Sequence, residues 1–172
     1  MPMNVEIKAR VRDMVALKRR VETLAEGEGE MLCQEDIFFH VPQGRLKLRL
    51  SPESRGQLIY YEREDATGPT SSTYHIYPTS DPASLQQVLA ASLGVRGTVR
   101  KRRLLYWLQN TRIHLDQVRG LGDFMELEVV LRDGQTPTQG RARALELMGR
   151  LGIAESDLVE GAYIDLLEKK RP

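Results

Sequence analysis

Cysteine is almost missing: Cys33 is the only one in 172 residues, so the chain can close no internal disulfide and build no cysteine-based zinc site. With no His or Asn/Asp constellation around it, Cys33 reads as a small packed residue near the start of a strand. No apolar run approaches the roughly 20 residues that cross a bilayer, and the opening "MPMNVEIK" lacks the apolar centre of a signal peptide. The expected location is cytoplasmic, with no membrane partner. An excess of one charge is missing too, because 25 Lys and Arg stand against 24 Asp and Glu. A net charge of +1 gives no global pull on nucleic acid, so any electrostatic function must come from local sorting of charges.

What remains is 41% hydrophobic and 28% charged, enough for one well-buried core, and residues 1–172 read as a single domain. "DMVALKRRVETLAE" places Met14, Leu17, Val21 and Leu24 at helical spacing behind an Asp13 cap, and "EGEGE" breaks that helix. "MLCQEDIFFHV" and "RLKLRL" flank the Pro42-Gln43-Gly44 turn as a hairpin, and "QLIYYERE" and "STYHIYP" follow as strands. "DPASLQQVLAASLG" is a second helix between Asp81 and Gly94. Three more strands, "TVRKRRLLYWLQ", "TRIHLDQV" and "DFMELEVVL", precede the helix "TQGRARALELMGRLG", and short helical pieces end the chain. So many short-linked antiparallel strands predict an α+β fold built on a closed or nearly closed barrel.

The strand faces carry the functional signal. In "NVEIKARV" Val5, Ile7 and Ala9 share one face, and Glu6 and Lys8 share the other with Asn4. Arg45, Lys47 and Arg49 alternate with leucines; Arg112, His114 and Asp116 alternate with Ile113 and Leu115; Glu126 and Glu128 flank Leu127. A solvated outer face explains each strand singly. The set is sorted by strand, however, with cations on one, acids on another and both on the first. That sorting suits a barrel packed outward under helices, with a charged lumen for a polyanion and its metal ions. The run "RKRR", from Arg100 to Arg103, has the alternative of a small nucleic-acid patch, which the balanced total charge disfavours. His114 could move a proton, although a lone histidine is more often structural, and Tyr163 is expected to pack the last helix in preference to closing a tunnel mouth.

The ordered pieces "NVEIK", "QEDIFF", "GRLKLRL", "YYER", "RKRRLLY", "RIHLDQVRGLGDFMELEV" and "GAYIDLL" resemble the CYTH domain of the triphosphate tunnel metalloenzymes, most nearly the branch that contains class IV adenylate cyclases. The resemblance spans nearly the whole chain, and Asp116 to Glu128 is its most specific part. It implies an eight-stranded antiparallel tunnel holding a triphosphate end-on. Glu6, Asp116, Glu126 and Glu128 would then hold Mg²⁺ or Mn²⁺, and Lys8, Arg45, Lys47, Arg49, Arg63, Lys101, Arg103 and Arg112 would grip phosphates. Catalysis would fall to Glu6, Lys8, Glu126 and Glu128. The family's first strand begins Glu-x-Glu-x-Lys, and Asn4 replaces its first Glu, which gives a weaker metal ligand. The implied activity is hydrolysis of an inorganic or organic triphosphate, with cyclisation of ATP to cyclic AMP or binding without turnover as alternatives. The implied partners are ATP, thiamine triphosphate or tripolyphosphate, and a homodimer is left open.

Overall fold

Strand β1 (Met3–Arg10) sets the pattern for the whole fold. Val5, Ile7 and Ala9 are buried on its outer side, and Glu6 and Lys8 point to its inner side. The computed structural model describes residues 2–52 and 55–172. After helix α1 (Met14–Leu24) come β2 (Glu26–Phe39), β3 (Arg45–Ser51), β4 (Arg55–Arg63) and β5 (Thr70–Thr79). Helix α2 (Pro82–Leu93) leads to β6 (Val95–Leu108), β7 (Thr111–Val118) and β8 (Gly122–Val130), and helices α3 (Pro137–Leu151) and α4 (Tyr163–Lys170) complete the order. The strands close into an eight-stranded antiparallel barrel in the order β1-β5-β4-β3-β2-β6-β7-β8.

The helices begin where the caps require. Asp13, Asp81 and Thr136 accept from the backbone N–H three residues on, satisfying a first-turn donor of α1, α2 and α3 in turn. Each helix then covers part of the barrel's outer face. Leu17 and Val21 of α1 and Ala144, Leu147 and Leu151 of α3 pack on Val5, Ile7, Ile113 and Leu127. Leu85 and Leu89 of α2 lie on Ile37, Phe39 and Leu48. A Val, Leu or Ile side chain fully buried in this way contributes about 1.5–3 kcal/mol over its exposed state. Helix α3 can lie this close because Gly140 has no side chain: a Cβ there would come within 2.6 Å of Leu131 and 2.7 Å of Val5.

Two local expectations are corrected. The "EGEGE" segment ends α1 as predicted, but its residues already belong to β2, where a register shift between Glu26 and Glu30 and a positive φ of 82° at Gly27 absorb the irregularity. Cys33 lies in the middle of that long strand and is exposed. Both errors have one source, since the charged, glycine-rich start of β2 lacks the alternation that marks a strand.

Candidate functional site

The inner faces of the strands enclose a cavity of about 270 Å³. Cross-strand register decides what meets inside it. Glu6 stands opposite Glu128 and Lys8 opposite Glu126 between β1 and β8, while Arg112 faces Glu128 and His114 faces Glu126 between β7 and β8. Like charges directly opposite are unfavourable, so the Glu6–Glu128 pair is a cost that packing alone would not select. Burial, then Glu128, pushes the Glu6 carboxyl above its ordinary range, against the pull of Arg63, whose Nη1 donates to it at 3.0 Å.

Across the barrel a second cluster forms around Asp36 of β2. Its carboxylate accepts from Lys47 at 3.0 Å, from Arg49 through two bonds of 2.7 and 2.8 Å, and from Lys101 at 3.1 Å. Burial opposes the charge on Asp36, but Lys101, Lys47 and Arg49 outweigh it and hold the carboxyl well below the usual range. The same burial lowers the lysines, Lys101 to about 7 and Lys8 to about 8. Arg103 bridges toward the acidic wall: it donates to Asp116 at 2.7 and 2.6 Å and to Glu126 at 3.1 Å.

One end of the barrel is plugged by the chain's C-terminal segment. The Gly161 carbonyl accepts from Lys8 and Arg63, both at 2.8 Å, and Tyr163 donates to Asp116 at 2.7 Å while its ring lies 4.2 Å from Lys8 Nζ. Phe38, Val99 and Phe124 pack behind it on Ile164. Tyr163 therefore does both: it packs in this apolar cluster, as expected, and it lines the end of the cavity. The other end carries an apolar rim of Leu32, Ile76 and Leu105, with Tyr74, and Ile76 is 49% exposed there.

Glu6, Lys8, Lys47, Arg49, Arg63, Lys101, Arg103, Arg112, Glu126 and Glu128 all line this one cavity. Two expected members do not. Arg45 turns to the outside of the plugged end, where it bonds Asp65 and Asp165 at 2.7 Å each. Asp116 is fully buried and spent on Arg103 and Tyr163, and it offers no face to the cavity. Strand periodicity identifies a face but not depth along the barrel, and both residues lie at the end that α4 covers. Asp36 was missed because a single acid in "QEDIFF" carries no local signal until register sets it against Arg49. His114 lies beside Glu126 and Glu128, with one potential ligand atom from each all within 4.8 Å of one another.

A closed antiparallel tunnel with facing acidic and basic walls agrees with the family model that matches residues 2–163, that of the CYTH domain. The chain belongs to the CYTH domain family. A Methanocaldococcus jannaschii protein named as a presumed adenylate cyclase is 23% identical over 95% of this chain and 98% of its own. Among solved CYTH-like folds, a Pyrococcus horikoshii protein superposes with a TM-score of 0.84 at 27% identity, covering 95% of this chain and 98% of that one. A Hippeastrum protein, described as a presumed adenylyl cyclase with a dominant triphosphatase activity, shares the fold with a TM-score of 0.70 at 14% identity, over 100% of this chain and 97% of its own.

The CYTH tunnel has donors suited to a divalent ion. Glu6, Glu126 and Glu128 supply oxygens, and two further buried atoms, Asn4 Oδ1 and His114 Nδ1, have no hydrogen-bond partner. Buried polar atoms left in this way are costly unless something fills the gap, so the donor set fits a cation. Among the described residues no helix is long and apolar enough to cross a membrane.

Proposed function

We propose that this protein hydrolyses an organic triphosphate in the tunnel with the help of a divalent ion, Mg²⁺ or Mn²⁺. The observation that carries the proposal is the opposition of two walls in one blind cavity. Lys47, Arg49 and Lys101, gathered on Asp36, face the strands that bear Glu6, Glu126 and Glu128. The lining counts seven Lys and Arg against four carboxylates, so the cavity has a cationic excess that a metal-bound triphosphate, itself a net anion, offsets.

The protein's own groups have distinct tasks. Arg49 and Arg103 present guanidinium forks that match phosphate oxygens two at a time, and Lys47 and Lys101 add point charges. Asp36 and Asp116 hold these cations in position before substrate arrives, which lowers the ordering cost of binding. Glu6, Glu126 and Glu128 would hold the ion, which supplies charge neutralisation at phosphate oxygens and orientation of the attacking water. Lys8, lowered to about 8 by burial, exchanges the proton at its Nζ near neutral pH. The apolar rim at the open mouth favours an organic group on the outer phosphate over a bare inorganic chain.

Incubation with ATP, thiamine triphosphate and tripolyphosphate, each with Mg²⁺ or Mn²⁺, tests this when the products are identified. The expected result is metal-dependent release of the terminal phosphate, faster from an organic substrate. Cyclic AMP with pyrophosphate as the products from ATP would replace hydrolysis by cyclisation. Tight binding without turnover under every condition would overturn the enzymatic reading.

A further inference from the structure

We propose that His114 is itself a ligand of the tunnel's divalent ion and tilts the site toward a first-row transition ion over Mg²⁺. The inference rests on the metal-dependent function proposed above and goes beyond it by naming a nitrogen ligand and the class of ion it selects. The side chain of His114 is only 5% exposed, and its Nδ1 has no hydrogen-bond partner. That nitrogen lies 3.5 Å from Glu126 Oε2 and 3.9 Å from Glu128 Oε1. Both gaps exceed the roughly 2.7–3.2 Å of an N–H···O bond. They match another geometry: two ligand atoms each about 2.1 Å from one ion lie about 3–4 Å apart. Asn4 Oδ1, on a side chain of a residue only 3% exposed, is a second unpartnered buried atom of the same cavity.

The cations that now hold the two carboxylates explain how the ion enters. Arg103 occupies Glu126 at 3.1 Å and Arg112 occupies Glu128 at 2.8 Å. Phosphate oxygens compete for those guanidinium groups, so a triphosphate releases the carboxylates as it arrives, and ion and triphosphate bind together. A site of carboxylates alone suits Mg²⁺, a hard ion that prefers oxygen, whereas an added imidazole nitrogen raises the affinity of first-row transition ions relative to Mg²⁺, least for Mn²⁺ and more for the ions after it. The choice of metal is thus set by β7, where His114 alternates with the buried Ile113 and Leu115.

The test is pulsed electron paramagnetic resonance of the protein with Mn²⁺ and tripolyphosphate. Nitrogen modulation of the Mn²⁺ signal is expected in the native chain and absent from His114→Gln, which should still bind the ion. The native chain should also need about tenfold more Mg²⁺ to displace Mn²⁺ than the variant needs. If His114→Gln does not fold, native protein carrying ¹⁵N-histidine replaces it: the modulation must change with the label, and His40 and His75 do not line the cavity. Bound Mn²⁺ without nitrogen modulation, an unlabelled-like signal from the labelled protein, or no Mn²⁺ binding beside tripolyphosphate overturns the proposal. Hydrolysis is scored separately. Modulation without turnover supports the ligand and sinks the hydrolase, and turnover with a nitrogen-free ion does the reverse.

Discussion

Asn4 shows how much a single side chain decides at the residue scale. It sits on the cavity side of β1 with its Oδ1 unpartnered, so Asn4→Glu adds a charged ligand to Glu6, Glu126 and Glu128. The metal concentration for half-maximal activity should fall roughly tenfold, and Glu6→Gln should raise it; an unchanged metal dependence in folded Asn4→Glu protein would place position 4 outside the metal's reach. Lys101 gives a pH signature. Burial lowers it from 10.5 to about 7, so the folded chain binds this proton more weakly than the unfolded chain. Its charge therefore costs stability at low pH, and the cost is relieved as pH rises from about 7 toward the free value. A bound triphosphate reverses the balance by holding the ammonium. Calorimetry at about pH 8 in buffers of different ionisation enthalpy should show proton uptake with tripolyphosphate, and less of it in Lys101→Arg; equal uptake in both would refute the assignment. Single residues were also the least legible in the sequence. Alternation identified the faces of Glu6, Lys47 and Arg112, but the partners of Asp36, Asp116 and Arg45 depend on register and depth, which no local pattern encodes.

Helix α4 makes the case for elements. The family match ends at residue 163, yet Ile164 is fully buried against the plugged end of the barrel. Ile164→Ala should cost about 2–5 kcal/mol, read by urea unfolding, and it should weaken triphosphate binding because Gly161 and Tyr163 lose their backing. A stability loss with unchanged binding would separate the plug from the site. Elements were largely readable because their signals are local: Asp13 and Asp81 start helices, Gly94 ends one, and alternating leucines mark β3. The plug was not readable, since it depends on Tyr163 reaching Asp116 across 47 residues of chain.

Charge is distributed unevenly across the whole molecule. The chain carries a net charge of +1, while its cavity alone holds seven cations against four carboxylates, so the remainder of the chain is net negative. Attraction for an anion is concentrated in the lumen. Arg49→Ala and Arg112→Ala should therefore weaken tripolyphosphate binding much more than monophosphate binding, since each guanidinium meets one stretch of an extended ligand. Titration calorimetry with both ligands checks this, and equal losses would mean that the clamp acts at one phosphate only. The barrel itself was legible from the number of short antiparallel strands. Its closure through the β1–β8 pair joins the two ends of the strand sequence, which the strand count left as closed or nearly closed.

The plug at Gly161 and Tyr163 makes the tunnel a cul-de-sac. On the proposed function a phosphate chain would enter and leave by the same doorway, leading with its terminus, and would stop where the Gly161 carbonyl meets Lys8 and Arg63. The fold would then act as a depth gauge: it would count phosphates from the free end and leave the interior bonds of a long polyphosphate beyond its reach.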